Sequence, residues 1–319
     1  MSNYEVFADS ETEANWFASL TPLLGDVSFH PILRRGRNPR PVESLIKYDR
    51  PDIILLYRGE PVLVLEKTSE VPTGHNVGQR LARIVRAVEV GVPAILYAPF
   101  RAMKHGRHAN ECQLNIRLLS AFRQMAHHHG VPAIAIEWPS DKFGELLQGE
   151  AADAEIRAVI EEYLDSNHEL MSGAIQSSIC RMSSEYARRI SERPQYAALP
   201  PSVTIEATQQ TIDRLAAQDT KLANALSERP ETLVYNIGMR PEKCKRQDPY
   251  TGMQFLYDYT DCRSGPDVAD KHRNLVLHFP LIQKRHWLQN NPNDPRTKSS
   301  NWYLTANALI FSDGSTVIR

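Results

Sequence analysis

Cysteine is scarce: Cys112, Cys180, Cys244 and Cys262 are spread over 319 positions. None stands in a CxxC pair, which excludes a zinc ribbon and a disulfide framework; a reducing, cytoplasmic setting is the expectation that follows. Long apolar runs are absent too. No stretch reaches the roughly 20 apolar residues a membrane helix needs, and the opening residues MSNYEVFADSETEANWF lack the basic and apolar regions of a signal peptide. No membrane partner is expected. Net charge is also lacking, at −1 from 37 Lys plus Arg against 38 Asp plus Glu. That balance conceals a gradient, because basic residues are outnumbered over 151–228 (7 against 12) and in excess over 229–319 (13 against 9). A polyanion-binding protein needs its cations gathered on one face rather than a basic total. There is no internal repeat, no low-complexity tract and no P-loop, helicase or RNA-binding motif.

What is present is an ordered series of periodic segments. Over 10–25, Ser10 and Glu13 have capping-box spacing, Trp16, Phe17, Leu20, Leu23 and Leu24 share one helical face, and Gly25 ends the run. VSFHPI (27–32) reads as a strand, and the Arg- and Pro-rich 34–41 as a loop. PDIILLY (51–57) and VLVLEKT (62–68) flank the turn RGEP (58–61) and form a hairpin. A loop, 69–76, leads into a helix over 77–91 with Val77, Leu81, Ile84, Val85 and Val88 on its apolar face. PAILYAP (93–99) and PAIAIEWP (132–139) read as buried strands separated by a helix over 111–130. The order predicts an α/β core with a mixed sheet flanked by helices over 1–150. A mostly helical segment should span 151–228. A small α+β region over 229–319 should carry strand-like runs at 274–280 and 302–318, the second turning at Asp313-Gly314.

Chemistry points to the hairpin. Asp52 opens its first strand and Glu66 stands near the end of the second, so antiparallel pairing sets the two acids side by side. Alternation puts Glu66 and Thr68 on one face and Lys67 on the other. An acid ending an aliphatic run is costly to desolvate without a partner. Two ionised carboxylates invite a hard cation, of which Mg²⁺ is the usual choice for phosphate chemistry. Glu13 lies in the first helix as either a cap partner or a third metal ligand. Gln79 and Arg80 fall in the first turn of the 77–91 helix, close to the hairpin acids, with Arg83 and Arg86 on the same non-apolar side. His127, His128 and His129 read as a helix C-terminus before Gly130 rather than as a metal tract.

PD at 51–52, an acid at 66 and a helix beginning near Gln79-Arg80 together resemble the PD-(D/E)xK nuclease superfamily, which includes most type II restriction endonucleases. The segment LEKTSEVPTGHNVGQRLARIVRA is similar to a subgroup with an E-x-T at this point followed by PTGHN-x-x-QR. The resemblance covers about residues 10–140. It implies a restriction-endonuclease-like fold and a Mg²⁺-dependent endodeoxyribonuclease of restriction-modification or phage defence. Asp52 and Glu66, with Glu13 as a possible third, would hold metal; Lys67 and Thr68 would position water; Gln79 and Arg80 would hold the scissile phosphate or support the acids. The family's lysine falls at 68, where this chain has threonine.

Nucleic-acid contacts are expected from Arg35 and Arg37 in the first loop, His75 and Asn76 before the helix, Arg83, and Lys284 and Arg285 in the C-terminal region. Basic residues there, including Arg263, Lys271 and Arg273, are interleaved with aromatics. The partner would be double-stranded DNA, and cleavage at a palindrome favours a homodimer. Two alternatives stay open: a catalytically inactive nuclease fold that binds DNA, and a nuclease acting on RNA or repair intermediates.

Overall fold

A computed structural model describes residues 3–74, 76–103, 111–215, 219–243, 252–288 and 305–319. The chain divides into two compact units, Met1–Ser191 and Glu192–Arg319. Where the sequence suggested breaks at 150 and 228, the division falls inside the helical middle, because its helices bury their apolar faces in different cores.

The first unit is a six-stranded mixed sheet with helices on both faces, as the α/β reading anticipates. In chain order its elements are β1 (Tyr4–Ala8), α1 (Glu11–Ala18), β2 (Ser28–Pro31), α2 (Arg40–Leu45), β3 (Ile53–Tyr57), β4 (Glu60–Lys67), α3 (Asn76–Glu89) and β5 (Ala94–Ala98). A small two-stranded ladder of β6 (Arg101–Met103) and β7 (Glu111–Gln113) follows, then α4 (Ile116–His129), β8 (Ala133–Glu137), α5 (Glu150–Asp165) and α6 (Gly173–Glu192). The sheet order is β2-β1-β3-β4-β5-β8, with β1/β3 and β3/β4 antiparallel and the other neighbours parallel. Leu63 and Leu65 of β4, Ile95 and Tyr97 of β5 and Ile134 and Ile136 of β8 face Phe17 of α1 and Ile156, Val159 and Ile160 of α5 in one core. This packing ties 151–191 to the sheet. Helix α3 covers the opposite face, where its arginines reach Glu66.

Several elements differ from the sequence reading for local reasons. The first helix stops at Ala18, and a separate 3₁₀ turn occupies Pro22–Leu24. Pro22 forces Thr21 into extended backbone, and the Thr21 hydroxyl caps the new turn. Helix α2 begins inside the expected loop, with Pro41 in its first turn, where a missing N–H costs nothing. The hairpin turn is tighter than RGEP: Arg58 (φ 52°) and Gly59 (φ 83°) both take positive φ, the signature of a two-residue primed turn. Helix α4 starts at Ile116, capped by Asn115, and ends at Gly130 (φ 66°) with His127, His128 and His129 in its last turn, the helix-terminus reading.

The second unit is a mixed five-stranded sheet in the order β13-β12-β11-β10-β9. It comprises β9 (Val203–Ala207), α7 (Thr208–Leu215), α8 (Thr220–Leu226), β10 (Glu231–Asn236), β11 (Arg273–Phe279), β12 (Ala308–Phe311) and β13 (Thr316–Ile318). Ile212, Leu222 and Leu226 pack on Val234, Val276 and Ile310, so residues 203–226 belong here and not to a separate helical segment. Two of the basic residues read as recognition groups prove internal. Arg263 and Lys271 are buried and both pair with the fully buried Asp258, Lys271 at 2.6 Å. A buried pair cannot meet DNA. Among the described residues no helix is long and apolar enough to cross a membrane.

Candidate metal centre

Three acids from three elements converge at one end of the first sheet. Ala8 pairs with Ile53, and the ladder continues one step as the Asp9 amide donates to the Asp52 carbonyl at 2.9 Å. That register sets Asp9, just beyond β1, beside Asp52, just ahead of β3. Ser10 then caps α1: its hydroxyl accepts from the Glu13 amide at 3.3 Å and donates to the Glu13 carboxylate at 3.0 Å. The cap therefore fixes the helix start that brings Glu13 over the strand ends. Carboxylate oxygens of Asp9, Glu13 and Asp52 lie within 4.8 Å of one another. Asp9 lies outside the ligands expected from the sequence; its signal there is an acid directly following the short run YEVFA, which forms β1.

Electrostatics fit a cation at this place. Burial raises the carboxyl pKa of Glu13, with the neighbouring Asp52 adding to the shift. Burial likewise raises Asp52, against the pull of Arg83 and of the Lys67 amide that donates to it at 2.7 Å. Oxygen-only ligands at this spacing suit a hard divalent ion, which would favour the ionised forms that burial opposes. Arg50 offers partial compensation through an ion pair with Asp9.

Lys67 points to the face of β4 opposite Glu66, toward α1, and Glu13 and Asp52 both act on its charge. It neighbours Tyr97 across β5, as alternation requires. Its ammonium lies 3.9 Å from the Trp16 ring centroid and 5.1 Å from that of Trp138. The Trp16, Tyr97 and Trp138 rings are nearly parallel, and Asp153 accepts from both Trp16 Nε1 (2.9 Å) and the Tyr97 hydroxyl (3.1 Å). Burial lowers the lysine pKa, opposed by Asp153, Glu13 and Asp52.

Glu66 points the other way and is fully buried. One of its oxygens, Oε1, accepts from Arg80 Nη1 at 2.5 Å and Arg83 Nη1 at 2.7 Å, and Arg83 also reaches Asp52 at 3.3 Å and Asp49 at 3.5 Å. Its second oxygen has no hydrogen-bond partner among the described residues. Arg83 thus stands between Asp52 and Glu66, the expected ligand pair, and the carboxylates that cluster are Asp9, Glu13 and Asp52. Arg80, expected either to hold the scissile phosphate or to support the acids, is engaged with Glu66, and so is Arg83, expected at nucleic acid. The cause is the face that α3 covers: its first two turns place both arginines over β4. Thr68 is buried and closes a turn, accepting from the Glu70 amide at 3.2 Å. Gln79 lies half-buried in the first turn of α3 and Asn76 is exposed at its start; His75 lies outside the described residues. Arg35 and Arg37 are exposed. Lys284 is half-buried and donates to the Thr316 carbonyl at 2.7 Å, and Arg285 is exposed.

Burial pushes the Glu66 carboxyl up to about 8, against the pull of Arg83 and Arg80. A native pKa raised above the unfolded one means that the folded state holds the proton more tightly. The resulting stability is complete below about pH 4.5 and is lost as pH rises through about 8. Unfolding by urea at a series of pH values should show this decline, and Glu66→Gln should flatten it. An unchanged slope in the variant would assign the proton elsewhere.

No family model matches the chain, and neither a curated protein nor a solved structure matches it.

Proposed function

We propose that the chain is a divalent-metal-dependent nuclease acting on DNA, with a restriction-endonuclease-like core in its first unit. The observation that carries this reading is the convergence of the Asp9, Glu13 and Asp52 carboxylates at one end of the sheet, with the Lys67 ammonium near enough to feel the charge of Glu13 and Asp52. Threonine stands at 68, where the resemblance would place a lysine. In this reading Lys67, which lies against Trp16 of α1, takes the lysine's part, and Asp9 joins Glu13 and Asp52 as the acids.

Mg²⁺ held there would supply Lewis-acid stabilisation of a phosphodiester and lower the pKa of a bound water. The protein's own part is positional. Asp9, Glu13 and Asp52 provide three oxygens from a rigid strand pair and a capped helix. Lys67 directs its ammonium toward the attacking water or a non-bridging phosphate oxygen, its stem and head steadied between the Trp16 and Trp138 rings. Arg83, tied to Glu66, also meets Asp52 at 3.3 Å and supports its carboxylate. Cutting both strands at a palindrome would call on two copies of the chain.

The test is nicking of supercoiled plasmid by the purified protein in Mg²⁺ and in EDTA; no metal-dependent nicking of plasmid or phage DNA would overturn the reading. Trp16→Leu probes the lysine's seat. Loss of one ring of the pair is worth about 1 kcal/mol of cation–π stabilisation, so kcat should fall about fivefold with KM unchanged. A rise in KM alone would place Trp16 in DNA binding instead.

A further inference from the structure

The loop over 33–40 is held by Asn38 within it and Glu43 just beyond it, and its arginines are exposed. Asn38 accepts from the Leu33 amide at 2.7 Å and donates to the Leu33 carbonyl (3.1 Å), the Arg34 carbonyl (3.4 Å) and Glu43 (3.0 Å). Glu43 accepts from the Gly36 amide at 2.6 Å, and Gly36 turns the chain at φ 85°, a conformation that glycine adopts without steric cost. Two residues, Asn38 and Glu43, thus hold the loop, and none of these bonds uses a guanidinium. Arg34, Arg35, Arg37 and Arg40 are all exposed, and Arg34, Arg37 and Arg40 form no ion pair among the described residues.

The loop is also rooted at the acid cluster. The Ile32 amide donates to the Ala8 carbonyl at 2.8 Å, one residue before Asp9. Arg50 donates through Nη1 to the Ile32 carbonyl at 3.1 Å while its Nη2 pairs with Asp9. Four guanidiniums are therefore presented on a preformed turn that begins beside the candidate metal ligands. Arginine is suited to bidentate phosphate contact, and a loop already in its bound shape avoids the ordering cost of association.

The geometry points to loop 33–40 as the docking element for the phosphodiester backbone of duplex DNA, with Asn38 and Glu43 as its positioning residues. This rests on the nuclease reading for the identity of the polyanion, but its test does not require cleavage. Anisotropy of a labelled duplex is followed with the full chain in EDTA over a salt series. Replacing Arg34, Arg35, Arg37 and Arg40 together by alanine should flatten the dependence of log K on log salt by about 0.9 for every phosphate that is no longer neutralised. Glu43→Ala is the sharper variant. It removes a negative charge beside Arg35, so net charge alone would tighten binding; loss of the loop's shape should weaken it about tenfold.

Unchanged binding in the four-arginine variant overturns the proposal. So does tighter or equal binding by Glu43→Ala, and so does a wild-type chain that binds no duplex. Plasmid nicking is scored separately. No nicking with both binding differences intact would sink the nuclease reading and leave the loop assigned, whereas nicking without those differences would do the reverse.

Discussion

Asp52→Asn should abolish metal-dependent cleavage, lowering its rate by about a thousandfold or more, equivalent to about 4 kcal/mol of lost transition-state stabilisation. Asp52 is the one acid that touches both halves of the site: it lies with Asp9 and Glu13 on one side and meets Arg83 at 3.3 Å on the other. Asparagine keeps the shape and can still accept the Lys67 amide, so the fold should persist. Glu13→Gln and Asp9→Asn, which also remove ligand charge, should give losses in the same direction. Glu66→Gln provides the contrast. If metal sits on Asp9, Glu13 and Asp52, that variant should retain most activity; if it sits on Asp52 and Glu66, activity should vanish. Mg²⁺ titrations of nicking separate the outcomes, because loss of a ligand shifts the metal concentration needed while loss of a distant support does not. Full activity in Asp52→Asn would remove the site altogether.

Arg83→Ala should destabilise the first unit by about 3 kcal/mol, at the low end of the cost of breaking a buried ion pair because Arg80 remains on Glu66. Arg83 sits among Glu66, Asp52 and Asp49, and its cation is strongly favoured there. Burial lowers its pKa, but Glu66, Asp49 and Asp52 outweigh that and raise it. Its removal leaves Glu66 fully buried with one donor. Protonation offers Glu66 an escape, so the loss should be smaller at pH 6 than at pH 9, where the carboxylate is ionised. Urea unfolding of wild type and variant at the two pH values measures this directly. Adding Glu66→Gln to Arg83→Ala should recover part of the loss, since the uncompensated charge goes with it. A penalty that is small and independent of pH would mean that Arg83 is a solvated helix residue, free for a phosphate after all.

Much of the first unit could be read locally. The hairpin followed from β-rich runs around a turn, and the position of Asp52 beside the end of β4 followed from antiparallel geometry. Period-two alternation correctly put Lys67 and Glu66 on opposite faces. The need of Glu66 for a partner was also legible, since an acid after four aliphatics cannot be left bare. Its partner was not. Two arginines three positions apart on a helix say nothing about which strand the helix will cover. The same gap hid Asp9, whose value depends on β1 pairing with β3, some 45 residues away in the chain. In the second unit the strands at 273–279 and 308–318 were visible, whereas the burial of Arg263 and Lys271 was not, because a basic residue looks the same in sequence whether it meets solvent or a buried Asp258.

Local chemistry, then, was enough to establish the elements, the hairpin and the side of its strand on which each ionisable group emerges, because backbone period and turn residues act over a few positions. Packing alone decided which helix lies over each face. That choice turned Glu66 into an anchor for two arginines and moved the candidate metal ligands to Asp9, Glu13 and Asp52. It depends on apolar surfaces from distant segments being buried together, and no short stretch of chain carries that information.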